Sequence, residues 1–264
     1  MTFGDWLGPQ EWQAVGLSLR VAGVAMLASL PLAVAVAWLL ARRRFPGHGL
    51  LSGIVHLPLV LPPVVTGYLL LLTFGTQGPI GGLLQPLGIT FAFRWTGAAL
   101  AAGVMAFPLM VRAIRLGFEA VDPRLEQAAA TLGAPRIWIF LTVTLPLILP
   151  AILAGATLGF AKAMGEFGAT ITFVSNIPGQ TQTLPSAIYA LLQVPEGEAQ
   201  AMRLVLVSAV IAIGAVAPAP RPCTTRKTIS EVMFQASPAS TEPSRNRPTP
   251  TRIVTAGVTR MSIF

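Results

Sequence analysis

The sequence predicts an all-α polytopic membrane protein of about five transmembrane helices with a disordered C-terminal tail. Three observations predict it. Of 264 residues, 53% are hydrophobic and only 11% charged, which places the chain far from the mean for soluble domains. Apolar runs of about 20 residues recur, the length that a helix needs to cross a bilayer. Composition then changes abruptly near residue 217, after which Ser, Thr, Pro and Arg dominate.

Charge and chemistry narrow the class further. The tail, 218–264, carries seven Lys/Arg against two Glu, so +5 of the formal +8 lies there and +3 in the remainder. The remaining basic residues gather in particular loops, and no nucleic-acid partner is needed to explain them. The one cysteine, Cys223, excludes an intrachain disulfide or a thiolate metal site. Asp5 and Glu11 stand where a cleaved signal peptide would be positive, and the apolar run that follows is too long for one. His48 and His56 do not make a nucleophile, base or metal set. No catalytic residue, metal or cofactor is therefore expected.

Taken in order, residues 1–12 read as an interfacial lead carrying Trp6 and Trp12, and 13–217 as the transmembrane domain. The first span covers about 15–40 and closes on Arg42-Arg43-Arg44. A basic triplet beside a span marks the cytoplasmic side, which sets the N-terminus outside. The second span, about 50–74, holds Pro58, Pro62 and Pro63 and is expected to kink. Such a kink either serves packing or lines a pathway, with Thr66 as a wall residue in the second case. Residues 75–94 form an outer loop rich in glycine. The third span, about 95–111, is rich in Ala and Gly, which let membrane helices approach closely.

Residues 122–146 are a charged insert with Arg112, Arg115, Arg124 and Arg136 around it, again the mark of the cytoplasm. Within it Asp122 suits an N-cap, Pro123 the first helical position and Gly133 the left-handed residue past the end. Leu125, Ala128, Ala129 and Leu132 fall on one narrow apolar face. A helix of about ten residues is marginal alone, so it is expected to lean on a neighbour.

The fourth span runs from Pro146 to about 170, with Lys162 and Glu166 inside it on one face. That pair reads either as a salt bridge fixing helix packing or as part of a gate in Gly165-Glu166-Phe167-Gly168. Residues 171–200 return to polar loop chemistry with a short helix near 186–193, and the fifth span runs from about Met202 to Ala217. The tail reads either as natively disordered or as the product of a shifted reading frame near Gly214.

Two sets of motifs resemble a known family. Gln127-Ala128-Ala129-x-x-x-Gly133, then nine residues, then Val143-x-Leu145-Pro146 resembles the coupling loop of ABC importer permeases, Glu-Ala-Ala-x-x-x-Gly-x9-Ile-x-Leu-Pro. Gln127 stands in place of Glu, with Glu126 one residue earlier, and Val143 in place of Ile. Longer runs are similar to the molybdate branch of that family: Phe45 to Gly47, His56 to Val65, Phe107 to Arg115 and Gly165 to Pro178. The resemblance spans about residues 10–215 and implies the type I importer permease fold.

It also implies a bacterial inner-membrane protein whose coupling loop and C-terminus are cytoplasmic. Glu126, Gln127, Ala128, Ala129, Gly133, Leu145 and Pro146 would meet a separate ATPase subunit. The further partners implied are a second permease copy and a periplasmic or lipid-anchored binding protein that delivers the oxyanion. Physics is compatible with this, since moving a dianion inward costs about 2.3 kcal/mol per charge per 100 mV. The chain has no Gly-x4-Gly-Lys-Ser/Thr phosphate loop to supply that work, so ATP would be bound by the partner. A weakly binding polar wall suits release of the anion, and Thr66, Thr170, Thr172, Ser175 and Asn176 are its candidates. The alternatives are tungstate, another oxyanion such as sulfate, or an ion-coupled secondary transporter using Glu166.

Overall fold

The computed structural model describes residues 6–216, whose regular secondary structure is helical throughout. The tail 218–264, with its two readings, lies outside the described residues.

Helix α1 (Pro9–Arg42) starts from an extended Gly8 with Pro9 in its first turn, where the missing N–H costs nothing. The lead expected over 1–12 is thus cut short, because Gly8-Pro9 nucleates the helix four residues early. With 34 residues α1 is about 51 Å long, well over the ~30 Å hydrocarbon core.

The single kinked span expected over 50–74 is instead two helices, α2 (His48–Val60) and α3 (Pro63–Phe74). The axis of α2 and that of the helical stretch Pro63–Leu87 differ by 114°. Consecutive prolines are the reason. Leu61 and Pro62 each precede a proline, which forces both out of the helical region, and both are extended with ψ of 142° and 135°. One proline bends a helix; two in succession end it. The expected outer loop 75–94 carries a short helix, α4 (Pro79–Leu84), and a 3₁₀ turn.

Helix α5 (Trp95–Ala120) runs nine residues beyond the expected end at 111, taking Arg112 and Arg115 into its last turns. Arg115 donates to Glu119 one turn on, at 2.7 Å, so the charged end stays helical in water. Helix α5 is the centre of the fold. Ala98, Ala101, Ala102 and Ala106 are buried on it, and these small side chains let α1 approach closely.

After it come α6 (Pro123–Thr131), α7 (Arg136–Ile139), a π turn (Phe140–Thr144) and α8 (Leu145–Met164). The last three form one apolar stretch, so the fourth span starts at Arg136 rather than Pro146 and stops at Met164 rather than near 170. Its second face packs on α5, where Ile148 and Ile152 meet Met110 and Ile114. Helix α9 (Gly168–Val174) takes the start of the segment expected to be loop. Then α10 (Leu184–Leu191) and α11 (Glu198–Val216) follow, α11 starting four residues before Met202. Leu184, Ala187 and Leu204 close over Leu7 and Val15 of the N-terminal end, and the buried Ser18 hydroxyl accepts the Leu184 N–H at 2.6 Å. Among the described residues four helical stretches are long and apolar enough to span a membrane, and the bent α2–α3 pair makes a fifth if it counts as one span.

Where α3 crosses α9, a Cβ on Gly67 would lie 2.5 Å from the Ala169 carbonyl oxygen and 2.9 Å from the Thr172 Cβ. Only glycine fits there. Gly67→Leu is expected to lower the stability of the solubilised protein by about 1–3 kcal/mol, as overpacked sites do. A thermal unfolding midpoint unchanged from the wild type would show that α3 and α9 do not meet as described.

Candidate coupling and pathway site

Helix α6 is closed at both ends by local signals. The Asp122 carboxylate accepts the Arg124 N–H at 2.9 Å and caps it, while Gly133 just beyond its end has φ of +81°, the left-handed conformation that glycine adopts freely. Both sequence expectations hold. None of its residues is buried. Gln127 and Ala128 are exposed, Ala129 is half-buried, and Leu125 and Leu132 are 50% and 88% exposed.

The expected lean on an apolar face is therefore not made within this chain. The tie is polar instead. Glu126 Oε1 accepts from Arg42 Nη2 at the end of α1 and from Thr144 Oγ1 at the end of the π turn, both at 2.8 Å. One oxygen thus joins three segments separated by 84 and 18 residues along the chain. The ion pair is partly shielded, with side chains 19% and 29% exposed, and Thr144 is buried. A charged hydrogen bond in this setting contributes about 1–2 kcal/mol once screening is allowed for.

Leu145 and Pro146 fall in the first turn of α8, Leu145 against the core cluster around Ile114 and Ile148, Pro146 exposed. The π turn before them carries one residue more per turn, and its last residue is the Thr144 that reaches Glu126.

The pair Lys162–Glu166 forms, with Nζ to Oε2 at 2.6 Å, but not inside one helix as expected. Helix α8 ends at Met164, and Glu166 sits in the interruption before α9. Gly165 ends α8 just before it, and Gly168 opens α9 two residues after it. Glu166 Oε1 accepts the Ala169 N–H at 3.1 Å, so this carboxylate caps α9 while its other oxygen holds Lys162 on α8. It is 3% exposed, and both of its oxygens are satisfied.

This interruption lies against the other one. A Cβ on Gly168 would sit 2.7 Å from the Pro63 Cβ, so the α8–α9 break touches the α2–α3 break. The expected wall residues divide here. Thr66 and Thr170 are buried near this junction, and Thr66 Oγ1 has no hydrogen-bond partner. The Thr172 hydroxyl donates to the Gly168 carbonyl at 2.8 Å, which commits it to its own helix. Ser175 is exposed with φ of +66°, and its carbonyl accepts from Thr181 Oγ1 at 3.2 Å. Asn176 Oδ1 is buried without a partner. Sequence reasoning missed Arg42 and Thr144 as partners of Glu126, and no local pattern points to contacts across such separations.

Comparison with known proteins shows the family of the chain. Residues 29–219 match the family described as binding-protein-dependent transport system inner membrane component. The chain is 61% identical over 204 residues to the molybdenum transport system permease protein ModB of Escherichia coli (strain K12), covering 77% of this chain and 89% of that one. It is 37% identical over 185 residues to the sulfate transport system permease protein CysT of Salmonella typhimurium (strain LT2), covering 70% and 67% of the two chains. A solved bacterial ABC transporter involved in the import of alginate superposes with a TM-score of 0.64 at 18% identity, over 88% of this chain and 81% of that one. That last likeness is one of fold.

Two outcomes follow from the polar ties. Glu126→Ala removes both hydrogen bonds to α6, and amide exchange across 123–131 is expected to rise about tenfold; exchange at the wild-type rate would mean that α6 is held by something else. Lys162→Met leaves Glu166 buried without its counter-charge and is expected to destabilise by about 1–3 kcal/mol, with Glu166→Gln in the same chain recovering part of the loss. Strictly additive effects in a thermal unfolding series would rule out the pairing.

Proposed function

The chain belongs to the family of binding-protein-dependent transport system inner membrane components, and we propose that it is the permease subunit of an ATP-driven importer of molybdate. It is an inner-membrane, multi-pass protein, in keeping with its family and its apolar helices. Molybdate is favoured over sulfate by the gap between 61% identity to a molybdenum permease and 37% to a sulfate permease.

One observation carries the mechanical part of the reading. Helix α6 presents its residues to solvent, yet Glu126 anchors it to α1 and to the start of α8. That is what a transmitting element requires: a free face for a partner and a stiff link to the spans. In this reading a separate ATPase subunit grips α6 through Gln127, Ala128, Ala129 and Gly133, and its closure moves α1 and α8 through Arg42 and Thr144. Leu145 and Pro146 pass that movement into the first turn of α8. The coupling helix then faces the cytoplasm and the N-terminus the outside, in line with the basic residues around 112–136 and at Arg42–Arg44.

Two copies of the chain would form the pathway, and an external binding protein would deliver the oxyanion. The pathway is proposed to run past the junction of the two helix breaks, with Thr66, Thr170 and Asn176 as its polar wall. Thr172 offers no free hydroxyl there, since it donates to the Gly168 carbonyl, whereas Ser175 is exposed at the end of α9. Glu166 holds the α8–α9 break in place. Its two oxygens are both engaged, which suits a fixed pivot.

Molybdate uptake in cells carrying this permease, its ATPase and its binding protein tests the proposal. Uptake should vanish when the ATPase is deleted; uptake that persists would favour ion coupling. Gly133→Leu, which forces a branched side chain into left-handed backbone, should cut uptake at least about tenfold while the protein still reaches the membrane. Undiminished transport by that variant would remove α6 as the coupling element. An excess of sulfate should leave molybdate uptake largely intact, and strong competition would shift the assignment to the sulfate branch.

A further inference from the structure

A cleft of about 930 Å³ opens between the C-terminal half of α1 and the stretch from α6 to the π turn. Its wall is apolar where it follows the membrane-spanning part of α1, at Val34 and Ala35, and across at Phe140. Its rim is basic, formed by Arg42, Arg43 and Arg136, with Glu126 the one carboxylate among the lining residues. Glu126 is already engaged with Arg42. Arg43 and Arg136 have no carboxylate partner among the described residues, and both are exposed. The Arg43 guanidinium lies 5.7 Å from the centre of the Trp38 ring, which keeps it at the level where aromatic side chains mark a membrane interface.

We propose that this cleft binds one anionic phospholipid, its phosphate between Arg43 and Arg136 and an acyl chain along Val34, Ala35 and Phe140. Charge and shape both select this occupant. The rim carries two uncompensated positive charges at the end of a span, the arrangement that draws acidic headgroups from a leaflet. A soluble oxyanion could be met by the rim but leaves the apolar wall bare, and it would fill little of the volume, given about 30 Å³ for a single water. A neutral lipid would cover the wall and leave the arginines unmatched. The site adjoins Arg42, so a headgroup seated there lies beside the anchor of α6, and the grip of the lever on α1 becomes sensitive to the lipid. This inference does not depend on which oxyanion is carried.

The full-length permease, solubilised and exposed to equimolar phosphatidylglycerol and phosphatidylcholine, provides the test by native mass spectrometry of retained lipid. The wild type should keep phosphatidylglycerol in preference to phosphatidylcholine, by about fivefold for each of the two arginines. R43Q/R136Q should bring the ratio close to one, R43K/R136K should keep most of the preference, and R94Q, a basic residue outside the cleft, should change nothing. A wild-type protein without preference overturns the proposal, and that measurement stands even where a variant fails to fold. So does a preference that survives in R43Q/R136Q or is lost equally in R94Q. Displacement of the retained lipid by millimolar inorganic phosphate would show a soluble-anion site instead and overturn it too.

Discussion

A single carboxylate oxygen holds the working parts together. Glu126 Oε1 takes one hydrogen bond from the end of α1 and one from the end of the π turn, and α6 has no buried residue to hold it otherwise. A helix of nine residues is too short to persist alone in water, so its order in this chain depends on caps and on this tie. The division of labour is physical. Apolar packing would bury one face of the helix, whereas a polar anchor at one residue leaves the rest of it open. Gln127 stands beside the anchoring residue and faces solvent, so the substitution of Gln for Glu at that position costs the chain none of its internal bonds.

Lipid imposes the second constraint. Backbone groups in a membrane interior have to be paired within the protein, so an interrupted helix survives only where protein surrounds the gap. Among the described residues two interruptions of apolar helix lie against each other, Pro63 next to Gly168. Glycine at 67 and 168 makes that contact possible, since the backbones come closer there than any side chain would permit. Glu166 then turns a liability into structure: its buried charge is balanced by Lys162 and spent on the first turn of α9. The same junction carries the unpartnered hydroxyl of Thr66, which is where a polar route through an apolar bundle would need one.

Positive charge is distributed with similar economy. Arg42 serves the interior tie, Arg115 stabilises the exposed end of α5 through Glu119, and Arg43 and Arg136 line the cleft without a carboxylate partner among the described residues. Runs of arginine at the ends of spans are usually read as topological signals alone. Here members of one triplet have different tasks, because successive residues leave the helix end in different directions.

By itself the sequence determined the class, the approximate number of spans and the existence and bounds of α6. Hydrophobic length is set residue by residue, and so are caps: Asp122, Pro123 and Gly133 act within one turn of themselves, which is why α6 was legible to within a residue or two. The similarity of residues 127–146 to a coupling loop was legible for the same reason, being local. Tertiary structure alone decided what local pattern does not encode. Three prolines announced a bend, and Pro62-Pro63 ends the helix by local sterics. Which segment covers the gap, here α9 with Gly168 against Pro63, is decided by the tertiary structure. Lys162 and Glu166 showed a pairing at helical spacing, while the break that makes Glu166 a cap arises from its glycine neighbours and the approach of α3. The partners of Glu126 lie 84 and 18 residues away, and only folding brings a residue at the end of the first span and one at the start of the fourth to the same oxygen.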